Sequence, residues 1–178
     1  MKFIKYTFAI ILFVTIANTA KSQFIYGPHV GVGASTIDGA NMGVSAEFGL
    51  FIRAELMDIF GVQPEFIYSL KTGSREPSTG TKEFYTYQYF EIPFLFYFPL
   101  SDHISIQAGP NFAFGLSGNI KRTTGGTSTD NSVSVDAKTG IAAGFVFETG
   151  SRIKFGFQYR SAGNASSMMV TSSYLLDW

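Results

Sequence analysis

The amino-acid sequence predicts an all-β fold, specifically an eight-stranded antiparallel up-and-down transmembrane β-barrel. Two observations predict it. Apolar residues alternate with small or polar residues along most of the chain, which is typical of strands with two unlike faces. The connections between the alternating segments are long and short in turn, as in barrels that have long loops at one end and tight turns at the other.

Composition limits the class of protein. A length of 178 residues fits one domain, and a charged fraction of 15% with an aromatic fraction of 16% excludes a disordered chain. The chain has no Cys, which excludes a disulfide framework, a thiolate metal site, a cysteine nucleophile and an acylated lipoprotein N-terminus. Thirteen basic residues balance 13 acidic ones, which argues against nucleic acid as a partner.

The N-terminal segment has the pattern of an export signal. Lys2 and Lys5 precede an apolar run over residues 8–17, which is too short to span a bilayer as a helix, and small residues follow it. We predict a cleaved signal peptide over residues 1–22 and a barrel domain over residues 23–178; the alternative is a buried N-terminal helix. Cleavage would remove three lysines and leave a mature chain with a net charge of −3.

Alternation with period two continues after the signal segment. It is clearest from Ile104 to Leu116, where the even-numbered residues are apolar. The eight predicted strands cover approximately residues 24–35, 43–54, 60–71, 83–99, 103–118, 136–148, 152–161 and 166–178. The predicted long connections are residues 36–42, 72–82, 119–135 and 162–165, and the short ones are 55–59, 100–102 and 149–151.

The size of the apolar face predicts which way it points. It carries roughly forty residues by the period-two count, many of them Phe, whereas the interior of eight strands has room for few large side chains. The opposite face is small and polar, with many glycines. The apolar face is therefore expected to contact lipid, with aromatic girdles near the strand ends.

The lumen is expected to hold charged residues that pair, because an unpaired buried charge is expensive. A plugged or non-conducting interior follows, and a small-solute pore is the less favoured alternative. The predicted polar network of the lumen consists of Glu47, Arg53, Glu65, Glu91, Lys138, Arg152, Lys154 and Arg160.

Three prolines lie inside predicted strands, where each removes a hydrogen-bond donor. We expect local bulges or irregular pairing at Pro64, Pro93 and Pro110. At the C-terminus, Tyr174, Leu176 and Trp178 face outward and are similar to the aromatic signal by which the outer-membrane assembly machinery recognises its barrel substrates.

Three stretches of the chain carry motifs that occur in a fixed order: residues 63–69 (QPEFIYS), residues 89–96 (YFEIPFLF) and residues 108–110 (AGP). They resemble motifs of the PorT-like outer-membrane β-barrel family of Bacteroidetes-type bacteria. The sequence departs from the family pattern at Phe90 and Phe94, where Leu is usual, and at Asn111, where Tyr is usual. The resemblance covers essentially the whole mature chain. It implies an integral outer-membrane barrel and, through the family's namesake, an accessory role in type IX protein secretion.

The sequence offers little for catalysis. Glu65 and Glu91 lie in the matching motifs, and two carboxylates can perform acid–base chemistry, but an ion-pair network with Arg53, Lys154 or Arg160 is the favoured explanation. His29 lies on the inward face, so a Ser-His-Glu arrangement of a lipid A-modifying or other lipid-active enzyme is conceivable, although no Ser is placed beside it. Two isolated His without Cys make a zinc site improbable. We therefore expect no catalytic residues, metal or cofactor.

The predicted function is that of an integral outer-membrane protein with a non-enzymatic structural or accessory role, as a subunit of an envelope complex. The expected partners are outer-membrane lipid and lipopolysaccharide, the assembly machinery during biogenesis, and other outer-membrane or periplasmic proteins. The long loops are expected to be extracellular and both termini periplasmic.

Overall fold

The computed structural model describes residues 24–177, so the predicted signal peptide and Trp178 lie outside the described residues. The strands are β1 (Phe24–Ile37), β2 (Asn41–Met57), β3 (Phe60–Ser78), β4 (Thr81–Pro99), β5 (Ile104–Thr124), β6 (Thr127–Val133), β7 (Lys138–Glu148), β8 (Ile153–Ala162), β9 (Ala165–Tyr174) and β10 (Leu176–Asp177). Among these residues no helix is long and apolar enough to cross a membrane.

The strands form one antiparallel sheet that closes on itself. Each strand from β1 to β5 pairs with the next, then β5 with β7, β7 with β8, β8 with β9, and β9 with β1. Strands β6 and β7 both pair with β5, and β9 and β10 both pair with β1 in one continuous register, so each pair occupies one position in the ring. The predicted eight-stranded up-and-down barrel is confirmed.

The two faces of the sheet are inverted relative to a water-soluble protein. Large apolar side chains face outward, for example Val32 (65% exposed) and Phe145 (62% exposed). Charged and amide side chains face inward and are buried, among them Arg53, Glu65 and Gln107. The predicted outward orientation of the apolar face is confirmed, and lipid is the environment in which it is stable.

The prediction of long loops was wrong. Strands β3, β4 and β5 contain 19, 19 and 21 residues and are joined to their neighbours by tight turns. The β5–β6 turn is Gly125-Gly126, in which both residues have positive φ, as a two-residue hairpin turn of this type requires. The Ser- and Thr-rich sequences that suggested loops instead continue the strands, because strands that extend beyond the membrane need no apolar face.

The extended hairpins make the barrel uneven in height. Residues 72–78, 81–88, 117–124 and 127–133 of strands β3 to β6 form what we call the projecting sheet. Its outward residues include Thr72, Thr86 and Asn119, so it lies beyond the apolar belt. The β8–β9 hairpin on the other side has strands of only ten residues each. The opposite end of the barrel, with turns at residues 58–59, 100–103 and 149–152, is called the turn end.

The prolines interrupt pairing without causing bulges. Pairing is interrupted at Pro64 between β2 and β3, at Pro93 between β3 and β4, and at Pro110 between β4 and β5. After each interruption the pairing resumes in the same register. The expected irregular pairing is confirmed at all three positions. The expected bulges are wrong, because the register shifts occur elsewhere, for example at Gln88 and Tyr89.

We predict that Gly109→Ala destabilises the barrel by about 1–3 kcal/mol, the usual cost of overpacking. A Cβ atom at this position would lie 2.0 Å from the carbonyl oxygen of Phe94, a backbone atom that cannot move aside. At Gly156 the closest atom is the rotatable hydroxyl of Thr171 at 2.6 Å, and the nearest backbone atom is 3.3 Å away. Gly156→Ala is therefore the matched control, and urea unfolding in lipid vesicles is the measurement. Equal effects of the two substitutions would contradict the prediction.

Candidate functional site

The lumen is filled by side chains from almost every strand. Its centre is Arg160 on β8, whose two terminal nitrogens donate to Glu47 on β2 and to Glu65 on β3, each at 2.7 Å. All three side chains are fully buried. Arg160 also donates to the amide oxygen of Gln158 at 2.6 Å. One guanidinium therefore joins opposite walls of the barrel.

His29 extends this cluster to the strands where the ring closes. Its Nε2 lies 2.8 Å from Oε1 of Glu47, and its Nδ1 lies 2.9 Å from the hydroxyl of Ser173 on β9. Since an ionised carboxylate only accepts hydrogen bonds, Nε2 donates to Glu47 and Nδ1 is free to accept from Ser173. A hydrogen-bonded Ser-His-Glu series thus exists, although the sequence alone did not place a Ser beside His29.

A second ion pair lies nearer the projecting sheet. Lys71 Nζ is 2.8 Å from Glu91 Oε1, and both side chains are fully buried. The same carboxylate accepts from the hydroxyl of Ser69 at 2.5 Å and from the amide of Asn111 at 2.7 Å. Glu91 is therefore held by one ion pair and two hydrogen bonds from the neighbouring strands β3 and β5, an arrangement that satisfies a buried carboxylate.

A third ion pair lies near the turn end. Arg53 donates to Glu148 at 2.6 Å, and its guanidinium lies over the ring of Tyr97, 4.4 Å from the ring centre. Tyr97 donates its hydroxyl hydrogen to Glu148 at 3.1 Å and accepts from Ser105 at 2.6 Å. Glu148 is only partly buried, so this pair is the part of the lumen network closest to water.

Lys154 connects the central cluster to the turn end. Its ammonium donates to the side-chain oxygen of Gln63 at 3.0 Å and lies 3.7 Å from the ring centre of Phe51. Gln63 in turn donates to Glu65 at 2.7 Å. The Lys154 ammonium is therefore stabilised by the Gln63 amide and by the face of the Phe51 ring. Gln63 connects it to the Glu65 carboxylate.

The charges of the lumen balance. We call the four carboxylates and four cations the ionic core: Glu47, Glu65, Glu91, Glu148, Arg53, Lys71, Lys154 and Arg160. A neutral sum is what a closed, narrow interior requires, because an unpaired ion there would keep its full desolvation cost.

Apolar clusters pack against the ionic core at two levels of the lumen. Ile25, Phe51 and Leu175 form a buried cluster toward the turn end. Tyr89, Ala113 and Ala162 form another toward the projecting sheet, covered by Tyr87 and Val135. Between them, beside His29 and Ser173, a cavity of only about 10 Å³ is accessible to the centre of a water molecule. That is room for about one water.

Six of the eight residues predicted for the lumen network belong to the ionic core. Lys138 does not: it begins β7 at the rim, is 3.9 Å from Asp136 and reaches toward Gly163. Arg152 does not either, because it lies exposed in the turn before β8. The period-two alternation places both residues on the inward face, but they lie at the ends of strands, where even an inward side chain is exposed to water.

Lys71, a core residue, was missed by the sequence analysis. The signal was available, because Lys71 has the same odd parity as Gln63, Glu65 and Ser69 on the same strand. It stood at the predicted boundary of a strand that in fact continues for seven more residues. Of the three residues of the predicted assembly signal, Tyr174 is exposed and outward, Leu176 pairs with Tyr26, and Trp178 lies outside the described residues.

The projecting sheet carries a separate charged cluster, outside the apolar belt. Glu83 accepts hydrogen bonds from the hydroxyl of Tyr85 at 2.7 Å and from the guanidinium of Arg122. These two donors hold the pKa of Glu83 below its usual 4.5, with Tyr85 contributing most. No group of three or more His, Cys, Asp or Glu side chains in the described part of the chain is arranged to hold a metal ion.

Comparison with known proteins supports the fold. The family described as "Outer membrane protein beta-barrel domain" matches residues 16–163. A de novo designed transmembrane β-barrel is similar to this chain with a TM-score of 0.50 and 12% identity, over 89% of this chain and 98% of the other. Ail, the attachment invasion locus protein of Yersinia pestis, has a TM-score of 0.46 and 18% identity, over 87% of this chain and 97% of the other. Neisserial surface protein A has a TM-score of 0.46 and 10% identity, over 85% of this chain and 96% of the other. None of the curated proteins searched matches the sequence.

We predict that Arg160→Met lowers the free energy of unfolding by about 3–5 kcal/mol, because it leaves two buried carboxylates without their cation. The control is Lys82→Met, which removes the exposed ion pair with Glu76 and should cost at most about 1 kcal/mol. Urea titration of both variants in lipid vesicles measures the difference. A similar small loss in both would show that the buried pairs contribute little.

The second prediction concerns the pH dependence of the projecting sheet. The folded pKa of Glu83 is lowered, so its contribution to stability is present above pH 4.5 and is lost as the pH falls through the lower folded value. Tyr85→Phe and Arg122→Gln should each move the pKa of Glu83 back toward 4.5. Carboxyl-carbon NMR titration measures this shift, and Tyr159→Phe is the remote control. An unchanged pKa in both test variants would refute the assignment.

Proposed function

Because the chain belongs to the outer membrane protein beta-barrel domain family, we propose that it has a non-enzymatic structural or accessory role in the cell envelope, as a subunit of an envelope complex. The protein is an outer-membrane β-barrel. The observation that carries the proposal is the filled lumen: the ionic core has balanced charge, and apolar clusters pack against it at two levels. What such a barrel offers to other molecules is its outer surface and its two ends.

The filled lumen argues against a small-solute pore. A conducting path needs a continuous column of water, whereas the interior around His29 has room for about one water molecule. Opening a path would require breaking buried ion pairs such as Glu65–Arg160, and each broken pair would leave an uncompensated charge.

The orientation proposed for the barrel places the projecting sheet outside the cell and the turn end in the periplasm. It is supported by the usual asymmetry of bacterial outer-membrane barrels, in which the short turns are periplasmic. Strand β1 begins at the turn end, where Phe24 pairs with Ala54 and Ile25 with Asp177. Lipopolysaccharide would then surround the half of the apolar belt next to the projecting sheet, and the assembly machinery would engage the outward-facing C-terminal strand.

A lipid-active enzyme is the second candidate, because Ser173, His29 and Glu47 form the hydrogen-bonded series that such chemistry needs. Two facts argue against it. All three side chains are buried in the lumen, and the adjoining cavity cannot admit an acyl chain or a headgroup. Glu47 is also bound to Arg160. The series is better explained as a structural link across the ring closure.

An accessory role in type IX secretion rests on the PorT-like resemblance alone. The structure offers a simpler account of the motif residues. Gln63 and Glu65 belong to the central cluster, and Glu91 holds the Lys71 pair, so each is needed to build the lumen. These motif residues therefore have a structural role in this chain that does not depend on a secretion pathway.

We expect the purified protein to produce no unitary conductance steps in planar bilayers, with a porin as the positive control. The reason is the continuous packing between the two apolar clusters. Reproducible steps from the folded protein, absent after heat denaturation, would overturn the sealed-lumen interpretation.

The role in an envelope complex predicts a stoichiometric partner. Gentle detergent extraction of a tagged copy from native outer membranes, followed by identification of co-purifying proteins, tests it directly. A partner in constant ratio identifies the complex, and a secretion component would favour the type IX alternative. A clean monomer under several mild detergents would contradict the subunit role.

A further inference from the structure

A cavity of about 320 Å³ lies at the turn end, next to the Arg53–Glu148 pair of the lumen. It lies between the β2–β3 turn and the β4–β5 turn. Three carboxylates line it, those of Glu55, Asp58 and Asp102, together with the apolar side chains of Met57, Phe60 and Leu100. Tyr97 forms part of its lining, and the guanidinium of Arg53 lies over the ring of Tyr97.

The cavity has acidic groups but no cation of its own. No Lys or Arg lines it. Arg53 forms its closer ion pair with Glu148 at 2.6 Å and a longer one with Glu55 at 3.6 Å, so Glu55 is partly neutralised and the negative charge of the cavity comes mainly from Asp58 and Asp102. Asp58 and Asp102 stand in exposed turns at its mouth. The cavity is therefore electrostatically suited to a positively charged group from another molecule.

Exposed apolar side chains surround the same opening. Met57 is 68% exposed, Ile59 72% and Leu100 63%. The adjacent ionised carboxylates of Asp58 and Asp102 keep this surface in water, because burying them in the bilayer would be costly. Apolar patches rimmed by charge in a water-facing surface are typical of protein interaction sites.

The chemistry favours a basic side chain over a metal ion. Within the described residues the carboxylates do not converge closely enough to form a group that could hold a metal. A Lys or Arg side chain combines a charged head with a methylene stem, which matches carboxylates set around apolar walls. A single such side chain fits the volume of the cavity.

We propose that the turn-end cavity binds a basic segment of a partner protein, with a Lys or Arg side chain entering between Glu55, Asp58 and Asp102. Apolar residues of the same segment pack on Met57 and Leu100. This inference rests on the proposed accessory function and names the surface through which that function is exercised. In the proposed orientation the partner is periplasmic.

The test uses the folded barrel in lipid nanodiscs and two peptide probes. Acetyl-Leu-Arg-Leu-Lys-amide should bind saturably in calorimetric titration at low salt, and acetyl-Leu-Glu-Leu-Glu-amide should not. Asp58→Asn with Asp102→Asn should weaken binding several-fold, up to about tenfold, as expected for two exposed pairs. Asp130→Asn in β6, at the opposite end, is the control and should leave binding unchanged. Absent saturable binding, or equal loss in the control, would overturn the proposal.

A second measurement tests whether the opening faces water. Because the chain has no Cys, Met57→Cys introduces a single thiol. It should react rapidly with a charged, membrane-impermeant maleimide, and a fluorophore attached there should escape quenching by brominated lipid. Strong lipid quenching would mean that Met57 anchors the barrel in the membrane, and the docking proposal would fail. The conductance and co-purification experiments test the proposed accessory role separately. If the peptide does not bind but a stoichiometric partner co-purifies, the docking proposal fails and the accessory role is retained.

Discussion

The neutralisation of Arg160 by Glu47 and Glu65 is the interaction on which the rest of the molecule depends. In a bilayer the backbone must be fully hydrogen-bonded, which requires a closed ring and directs apolar side chains toward lipid. The polar side chains are then enclosed in an interior too narrow for much water. Charges there are stable only if they pair, so the polar side chains of the lumen form a neutral ionic core.

This constraint connects structure to function. The ion pairs between β2, β3 and β8 join opposite walls of the barrel and fill its interior. Even the Ser173-His29-Glu47 series, which would suggest catalysis in an open cleft, becomes a link between the strands that close the ring. Recognition is left to the surfaces in water, and of these the turn end has the clearest binding geometry, a cavity of about 320 Å³ between two turns.

The alternation of inward and outward side chains along each strand explains how much of the fold and of the lumen the sequence could predict. Period-two alternation placed Glu47, Glu65, Glu91 and Arg160 on the inner face, and the bulk of the apolar face placed it in lipid. Alternation carries no information about which residues at one level of the lumen meet, so the Arg160 cluster and the Ser173 contact needed the three-dimensional register. Strand ends were the other difficulty. The predicted strands end where the apolar alternation ends, whereas β3 and β5 continue with polar residues on both faces. This polar continuation of β3 to β6 was predicted to be loops.

The most direct test of the account is a double-mutant cycle on the second buried pair, Lys71 and Glu91, which are 2.8 Å apart. Lys71→Met and Glu91→Met are made singly and together, and unfolding free energies are measured in lipid vesicles. The account predicts that each single change costs about 3–5 kcal/mol, whereas the double change costs much less than their sum, because no uncompensated charge remains. Additive losses would contradict the claim that charge pairing holds the lumen together.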